Sequence, residues 1–330
     1  MSAPPAFDLQ ALCAGVRFGE RGALGRAITL IESRNDQKRA QGEALLGELL
    51  PASGNTLRVG ITGVPGVGKS TFIDALGTHL TKLGHKVAVL AVDPTSPVTG
   101  GSILGDKTRM TRLSQDPNAF IRPSPSSGTL GGVAMRTRES MLVCEAAGFD
   151  IVLVETVGVG QSEVAVEQMV DFFLVLMLAG AGDELQGIKR GILEIADLIA
   201  INKADGENQP RAELARNEYA SALQLLRPKS DAWTPQAVCV SALSGSGIEG
   251  LWQLVLEHRK QLEATGERDA RRKEQQGQWM WQDVEDSLQA ALRSNQAAHA
   301  LSLELESRVR EGELLASAAA RQIIAAFLGR

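Results

Sequence analysis

The most informative stretch of this chain is Gly63-Val64-Pro65-Gly66-Val67-Gly68-Lys69-Ser70-Thr71. It matches the phosphate-binding loop pattern G-x-x-x-x-G-K-[ST]. Residues 57–62 before it have the composition of a short buried strand, and residues 71–83 after it carry apolar side chains at helical spacing. This order of strand, glycine-rich loop and helix predicts a nucleoside-triphosphate site, because the loop N–H groups and the helix N-terminus attract phosphate.

Two side chains of this loop have the chemistry that a bound triphosphate needs. Lys69 can reach the β- and γ-phosphates, and the Ser70 hydroxyl can bind Mg²⁺. We therefore predict that residues 63–71 bind the nucleotide and that Lys69 takes part in catalysis. The alternative is a chance glycine turn before a helix, but the lysine, the serine and both flanking elements argue against it.

The composition is that of an ordinary globular chain of 330 residues, of which 44% are hydrophobic and 22% are charged. A formal net charge of -5 argues against the basic surface of a nucleic-acid-binding protein, so we expect no nucleic-acid partner. Neither an apolar run of membrane-spanning length nor a signal-peptide pattern at the N-terminus is found. We therefore expect a cytoplasmic protein without a membrane partner.

The cysteines and histidines do not form a metal-binding pattern in the sequence. Cys13, Cys144 and Cys239 lie far apart without a C-x-x-C pair, which is typical of core cysteines in a reducing compartment. The four histidines are scattered, and we interpret them as ordinary core or surface residues.

Two aspartates follow the strand predicted for residues 86–92. Asp93 comes directly after that strand, and ligands gather at the carboxyl ends of strands in doubly wound sheets. Asp106 follows a long loop rich in glycine, serine and threonine, which we interpret as a switch that depends on nucleotide and metal. In the alternative interpretation, the two acids cap a turn and a helix.

A further acid, Glu155, follows the apolar stretch 150–154, which predicts another buried strand. From the end of this strand Glu155 can contact Mg²⁺ through water, and Gly158 can donate its N–H to the γ-phosphate. The next residue is Val159, at the position where small signalling GTPases have the glutamine that positions water. We therefore expect slow intrinsic hydrolysis.

A third glycine-rich, charged loop covers residues 179–187, after the strand predicted for residues 172–178. Lys189 follows it and starts the next predicted helix. We interpret this loop as another segment that faces the nucleotide, and a plain surface turn is the alternative.

An N-K-x-D sequence, Asn202-Lys203-Ala204-Asp205, follows the strand predicted for residues 198–201. The Asp205 carboxylate can accept hydrogen bonds from guanine N1–H and from the exocyclic amine, a pattern that adenine does not offer. The Lys203 stem can cover the face of the base, and Asn202 can brace the loop and reach N7. These residues predict GTP instead of ATP.

A second segment supports the guanine assignment. The predicted strand 237–240 ends in Ser241-Ala242-Leu243, which is similar to the backbone loop that supports the guanine oxygen. We therefore predict that these three residues also bind the nucleotide.

These elements predict an α/β fold with a mostly parallel, doubly wound P-loop GTPase sheet. Residues 1–55 have helical patterns and are predicted to form an N-terminal helical extension to the GTPase domain, residues 56–265. Residues 266–330 begin with a highly charged stretch and continue as long amphipathic patterns, in which Leu301 and Leu305 belong to one apolar stripe. Such stripes suit helix pairing, so we predict a C-terminal helical dimerisation arm.

Four longer runs in the sequence are VDPTSPVTGGSILGDKTRM (92–110), ETVGVGQSE (155–163), GDELQGIKRGILEIADLIAINKADG (182–206) and QQGQWMW (275–281). With these runs the chain resembles the methylmalonyl-CoA mutase-associated GTPases, the MeaB/ArgK group. The likeness extends from the N-terminal helices to the tail. It implies a fold similar to that of the signal-recognition and metal-insertion GTPases.

The resemblance implies a function for the whole chain. Members of the group are homodimeric G-protein chaperones of adenosylcobalamin-dependent acyl-CoA mutases of the methylmalonyl-CoA mutase type. They bind and hydrolyse GTP, gate the loading of adenosylcobalamin, and protect or reactivate the mutase. Some relatives are called arginine/ornithine transport kinases, but the sequence has no pattern of an amino-acid site.

The resemblance also implies roles for single residues. Ser70, Asp93, Asp106 and Glu155 would form the magnesium shell, with Glu155 also serving catalysis. Lys189 matches the lysine implicated in hydrolysis that is stimulated by the partner. The three switches would cover residues 93–106, 155–163 and 180–189.

Two other functions remain open at the level of sequence. A metallochaperone GTPase that loads nickel would be expected to have histidine-rich tracts or a C-x-x-C-type ligand set, and the sequence has neither. A metabolic kinase would use the same phosphate loop to phosphorylate a small molecule, but the N-K-x-D sequence argues against it. The sequence does not identify which acyl-CoA mutase is the partner.

Overall fold

The computed structural model describes residues 7–33, 35–92, 110–123, 130–156, 162–180 and 190–329. The chain divides into two compact units, residues 1–275 and 276–330. The boundaries predicted at 55/56 and 265/266 stay predictions.

The first unit is built on a seven-stranded sheet in the order β3-β2-β4-β1-β5-β6-β7. The strands are β1 (Leu57–Gly63), β2 (Val87–Val92), β3 (Ala119–Arg122), β4 (Ile151–Thr156), β5 (Phe172–Leu178), β6 (Leu198–Asn202) and β7 (Gln236–Cys239). All the neighbouring pairs are parallel, so the carboxyl ends of the strands meet at one edge of the sheet. We call this the carboxyl edge and the opposite one the amino edge. The predicted parallel, doubly wound fold is confirmed.

Helices lie before, between and after the strands in the described residues. They are α1 (Leu9–Arg17), α2 (Arg21–Ile31), α3 (Asp36–Leu49), α4 (Lys69–Lys82), α5 (Leu130–Ala146), α6 (Ser162–Glu167), α7 (Arg190–Ile195), α8 (Gln209–Gln224), α9 (Ile248–Thr265), α10 (Glu267–Ser294), α11 (Gln296–Arg310) and α12 (Ala316–Phe327). Short 3₁₀ helices cover Leu50–Ala52, Leu113–Gln115 and Gly206–Asn208.

The central strand β1 is buried along its whole length between β4 and β5. Its neighbours consist mostly of valine, leucine, isoleucine and phenylalanine and are also buried, as expected for a parallel sheet covered on both faces. The direction in which strands are added reverses at β1. Strands β2, β3 and β4 lie on one side of β1, and strands β5, β6 and β7 lie on the other side. Ligands of doubly wound sheets bind at such a reversal, which places the phosphate loop at the end of β1.

The three N-terminal helices pack together and against α5, with the apolar faces of α1 and α2 buried. Arg21 at the start of α2 donates hydrogen bonds to the carbonyl oxygens of Asp116 (2.5 Å) and Ala119 (2.6 Å). These bonds tie the helical extension to the beginning of β3.

In the second unit, α11 and α12 pack against each other, with Ala298, Leu305 and Ala319 buried. Leu303 and Leu315 are exposed. Among the described residues, none of the helices combines the length and the apolar character needed to cross a membrane.

Candidate nucleotide-binding site

The phosphate loop connects β1 to α4 through glycines that other residues could not replace. Gly66 and Gly68 have φ angles of 79° and 90°, in the left-handed region that side chains disfavour. A Cβ atom on Gly63 would lie 2.4 Å from the carbonyl oxygen of Leu176 in the neighbouring strand β5, so the end of β1 has no room for a side chain. The loop ends at Gly68, the N-cap of α4, and the helix N-terminus therefore opens onto the carboxyl edge.

Lys69 folds back over this loop. Its Nζ donates to the carbonyl oxygen of Gly63 at 2.8 Å and lies 3.5 Å from that of Val64. Burial lowers the pKa of the Lys69 amine, whereas the negative charges of Glu155 and Glu163 oppose this shift. The ammonium group is thus partly desolvated and held where phosphate would supply a stronger partner.

Ser70 and Glu155 meet beside the loop. The Ser70 hydroxyl donates to Glu155 Oε1 at 3.2 Å, and the Glu155 residue is only 6% exposed. Directly after Glu155 in β4, Thr156 donates to the Thr62 hydroxyl at 2.7 Å, which links β4 to β1. The chain therefore holds a hydroxyl and a carboxylate side by side at the start of α4.

This pair fits a Mg²⁺ site as far as the described residues go. Hydroxyl and carboxylate oxygens are the donors that Mg²⁺ prefers, and it usually takes only one or two protein ligands beside waters and phosphates. The described part of the chain holds no group of three or more histidine, cysteine, aspartate or glutamate side chains that could enclose a metal ion by itself. A magnesium shell that includes Ser70 and Glu155 agrees with both observations.

Asn202 connects the phosphate loop with the segment predicted to hold guanine. Its Nδ2 donates to the Val67 carbonyl oxygen at 2.8 Å, and its Oδ1 accepts the Ala242 N–H at 3.2 Å. Asn202 is 1% exposed, so both hydrogen bonds are shielded from water. One side chain thereby fixes the distance between three segments that are far apart in the sequence.

Lys203 lies over the loop from the other side. Its Nζ donates to the Gly66 carbonyl oxygen at 2.9 Å, and its φ of 61° is the only positive one that the described non-glycine residues show. Asn208 donates to the Lys203 carbonyl oxygen at 2.7 Å, which supports this turn. Residues in such a conformation cost free energy and are typical of functional sites.

Asp205 is held by Ser241, whose hydroxyl donates to Asp205 Oδ2. Ser241 is buried, and the N–H of Ala204 donates to the Val240 carbonyl oxygen at 3.0 Å, so the two segments are joined by side chain and backbone. In contrast, Leu243 is 85% exposed. A role for Leu243 in nucleotide binding would therefore be carried by its backbone and not by packing of its side chain.

Several predicted residues cannot be placed in this arrangement. Asp93, Asp106, Gly158 and Lys189 lie outside the described residues. The structure brings together residues 63–71, Glu155, the N-K-x-D segment and the Ser241 loop at the carboxyl edge of the sheet.

One anchor next to the site has no signal in the sequence. Asp74 in α4 is 4% exposed, and its carboxylate accepts the backbone N–H groups of Arg112 (3.1 Å) and Leu113 (2.8 Å) as well as Arg112 Nε (2.8 Å). A Cβ atom on Gly77 would lie 2.5 Å from Leu113, so the glycine permits this close approach. The structure thus pairs Arg112 with Asp74.

Comparison with known proteins shows which family the chain matches. The family "Methylmalonyl Co-A mutase-associated GTPase MeaB" matches residues 24–297. A solved crystal structure of a LAO/AO transport system kinase is 40% identical, with a TM-score of 0.80 and full coverage of both chains.

Curated relatives match over nearly the whole chain. A probable GTPase from Mycobacterium tuberculosis is 57% identical over 95% of this chain and 93% of its own length. GTPase ArgK from Escherichia coli is 52% identical over 85% of each chain. A mitochondrial methylmalonic aciduria type A homolog from Mus musculus is 46% identical over 97% of this chain and 79% of its own length.

Proposed function

Because this chain belongs to the family of methylmalonyl-CoA mutase-associated GTPases, we propose that it is a GTP-dependent chaperone of an adenosylcobalamin-dependent acyl-CoA mutase. The GTPase activity follows from the family and from relatives that are themselves named GTPases. The proposal adds that the protein gates adenosylcobalamin loading and protects or reactivates the mutase. Cytoplasmic localisation is part of the same proposal.

The observation that carries the nucleotide part of this proposal is the position of Asn202. It bonds to the phosphate loop at Val67 and to the Ser241 loop at Ala242. The spacing of the two loops is thus set before a ligand arrives, and preorganisation of this kind favours binding. Asp205 lies beside the second loop, where its carboxylate can select guanine.

We assign the steps of hydrolysis to side chains of this chain. Lys69 would leave the Gly63 and Val64 carbonyl oxygens and bind the β- and γ-phosphates. Ser70 would be a direct magnesium ligand, with Glu155 next to it and Asp93 and Asp106 completing the shell. When bound, Mg²⁺ would neutralise charge that develops on the phosphates.

Guanine specificity is tested by titrating GTP, GDP and ATP against the purified protein with a fluorescent nucleotide. We expect tight binding of both guanine nucleotides and weak binding of ATP, together with release of inorganic phosphate from GTP. Equal affinity for ATP and GTP would overturn the assignment of Asp205.

Partner-stimulated turnover is proposed to depend on Lys189. With valine at position 159, no glutamine is available there to orient water. A cation supplied at the transition state is worth ~10³–10⁵ in rate when it is an arginine finger, and a lysine that also reorders loops is expected to deliver less. We expect Lys189→Ala to keep GTP affinity and basal hydrolysis but to lose most of the stimulation by the cognate mutase in single-turnover assays.

The neighbouring Arg190→Ala variant is the matched control for Lys189→Ala and should remain fully stimulated. If Lys189→Ala is stimulated as strongly as the wild type, this lysine is an ordinary residue at a helix start. The mutase itself can be identified by capture from the native cell extract, once with GDP and once with a non-hydrolysable GTP analogue.

Homodimer formation is proposed through the part of α10 that belongs to the second unit, residues 276–294. One face of this helix presents Gln276, Trp279, Met280, Asp283, Val284, Ser287, Leu288 and Ala291. Successive members are separated by three residues or one, which is the spacing of a helix-pairing seam, and Met280, Val284 and Leu288 are exposed. A second copy of the chain would cover these apolar side chains.

The dimer is tested by light scattering of the full chain and of Leu288→Glu. We expect a dimer for the wild type and a monomer for the variant, whereas the control Gln282→Glu, which lies outside that face, should remain a dimer. A chain that ends at Gln275 should also be monomeric. A monomeric wild type at micromolar concentration would contradict the proposal.

A kinase is the second candidate function, because one similar solved structure is called a transport system kinase. The two functions differ in the fate of the γ-phosphate. Labelled phosphate released only to water supports the GTPase, and label on an amino acid or on another small molecule would support the kinase.

A further inference from the structure

A cluster of charged side chains around the buried Asp197 lies at the amino edge of the sheet, away from the nucleotide site. It consists of Glu167, Asp197, Lys229 and Arg271, which we call the junction cluster. These residues come from four different parts of the chain, yet they are joined by hydrogen bonds of 2.7–3.3 Å. Lys229 and Arg271 are both charged opposite to the two acids, so the cluster is balanced.

The first element that reaches the cluster is α6, whose first two residues are the last two of the proposed second switch, residues 155–163. Glu167 is the last residue of α6 and its Oε1 accepts from Arg271 Nη2 at 2.7 Å and from Lys229 Nζ at 3.3 Å. The helix lies close to the central strand, because a Cβ atom on Gly60 of β1 would meet Val166 of α6 at 3.0 Å. Because this contact is close, a shift of α6 would also move Glu167 at its end.

The second element is α7, which directly follows the residues proposed as the third switch. Its last carbonyl oxygen, that of Ile195, accepts a hydrogen bond from Lys229 Nζ at 2.8 Å. The same ammonium lies 2.9 Å from Asp197 Oδ1, and Asp197 has a side chain that is 1% exposed. Lys229 thus holds the ends of α6 and α7 together with one charge.

The third element is the start of α10. Arg271 in the first turns of this helix binds Glu167, and its Nη1 donates to the Asp171 carbonyl oxygen at 3.3 Å. One turn later, Gln275 donates to the Val170 carbonyl oxygen at 3.0 Å. The segment 267–275 is therefore attached to the residues between α6 and β5.

We propose that Lys229 and Arg271 are positioning residues that connect the helices behind both nucleotide-facing loops to the beginning of α10. A change of the loops between the GTP and GDP states would then alter residues 267–275 at the opposite edge of the sheet. This inference rests on the proposed function, because it assumes that residues 155–163 and 180–189 respond to the nucleotide.

The physical reason is that these charges are costly to separate. Asp197 is fully buried, and the side chains of Glu167 and Arg271 are 17% and 19% exposed. Removing one partner from a buried pair leaves an uncompensated charge, so the ends of the helices move together instead of separating. Coupling between two sites across a domain requires a structural element that has two discrete arrangements, and each site must favour one of them.

The test is amide hydrogen exchange of the full chain, with Mg²⁺ and either GDP or a non-hydrolysable GTP analogue. In the wild type we expect exchange in residues 268–275 to differ about fivefold or more between the two nucleotides, the lower end of typical allosteric coupling. In Arg271→Met this difference should disappear, although a fluorescence titration should show unchanged affinity for both nucleotides.

The matched control is Arg268→Met in the same helix. Arg268 is similarly buried, with 13% of its side chain exposed, but it binds Glu263 of α9 at 2.9 Å instead of Glu167. In Arg268→Met, the difference in amide exchange of residues 268–275 between the two nucleotides should remain. If Arg271→Met does not fold, Glu167→Gln takes its place, because it keeps the size of the side chain and removes only the charge.

Each outcome decides the inference. A wild type that binds both nucleotides but shows no difference in residues 268–275 overturns it, and so does an Arg271→Met variant, or Glu167→Gln in its place, that responds like the wild type. Loss of the response in Arg268→Met would also overturn it, because general loosening of α10 would then explain the result. Failure to bind guanine nucleotides at all would instead contradict the proposed function.

Discussion

The two edges of the sheet use polar side chains in opposite ways. At the amino edge, Arg272 donates to both carboxylate oxygens of Asp171 (2.7 and 2.6 Å), and Arg58 donates to Glu145 at 2.6 Å. At the carboxyl edge, the Lys69 ammonium has only backbone carbonyl oxygens of its own loop as hydrogen-bond partners within 3.5 Å, among the described residues.

The pKa shifts follow the same division. Burial alone would raise the pKa of the Asp171 carboxyl, but the hydrogen bond and charge of Arg272, together with Arg58, outweigh it and hold the pKa below its ordinary value. Burial lowers the pKa of Lys69, and the acids nearby do not fully compensate. The fold itself therefore supplies the partners of Asp171 at the amino edge, whereas the carboxyl edge keeps a cation that a ligand would stabilise.

The largest expected effect is at the amino edge. Arg272→Met should lower the free energy of unfolding by about 3–5 kcal/mol, because Asp171 would be left as a buried charge without its main partner. Affinity for GDP should change by no more than about twofold. In free energy this is well below the 1.4 kcal/mol that corresponds to a tenfold change. Urea unfolding and a fluorescent-nucleotide titration measure the two quantities.

The control for Arg272→Met is Arg259→Met, which removes a partly exposed pair with Glu263 four residues away in α9. Such pairs contribute about 0.3–0.5 kcal/mol, so this variant should be almost as stable as the wild type. A stable Arg272→Met protein with weakened nucleotide binding would reverse the comparison of the two edges.

At the carboxyl edge, Lys69→Met should have the opposite pattern. Nucleotide affinity should fall about 100-fold, since a hydrogen bond to a charged group is worth about 1.5–3 kcal/mol and Lys69 is proposed to make more than one. Without nucleotide, stability should change by less than about 1 kcal/mol, because only a bond to a loop carbonyl oxygen is lost while desolvation of the ammonium is relieved. Thermal unfolding with and without GDP separates the effect on nucleotide affinity from the effect on stability. A large loss of stability without nucleotide would contradict the comparison of the two edges.

A smaller effect is expected for Asp205→Asn. The variant loses the charged acceptor for guanine and offers the amide pattern suited to xanthine. GTP affinity should fall about 10- to 100-fold, because hydrogen-bonding groups of guanine would be left unpaired. Affinity for xanthosine triphosphate should rise. Because Ser241 already donates to Asp205, Ser241→Ala serves as a control that should weaken GTP binding without this change of base. Unchanged GTP affinity in Asp205→Asn would exclude its role in base recognition.

The carboxyl edge could be predicted from sequence because its signals are local. The strand predicted for residues 172–178 has the same bounds in the structure, and the other predicted strands agree within two residues. The loop and the N-K-x-D segment are short patterns whose spacing already fixes their place at strand ends. The pattern predicts that Asn202 braces the loop, but it does not identify Val67 as the partner of its side chain.

The amino edge could not be predicted in the same way. Arg272 and Asp171 are separated by 101 residues, and the sequence pattern assigns the charged stretch 268–273 only to the beginning of the tail. Its pairing with Asp171 depends on where α10 starts relative to β5, which no local pattern reports. The same holds for Asp74 and Arg112, whose partners are set by packing of α4 against the segment before β3.

The smallest expected effect is a pH dependence that isolates the amino edge. A carboxyl with a lowered folded pKa stabilises the fold above its unfolded pKa of about 3.9, and this contribution is lost as pH falls through the folded pKa. The difference in unfolding free energy between the wild type and Arg272→Met should therefore be constant from pH 7 to about pH 5 and shrink below about pH 4. Asp197, whose pKa is also held low, is present in both proteins, so its contribution cancels from the difference. Urea unfolding at closely spaced pH values measures this. A difference that stays constant down to pH 3 would mean that Arg272 stabilises the fold mainly through the carbonyl oxygens of Gly54 and Thr56, to which it also donates, and not through the charge of Asp171.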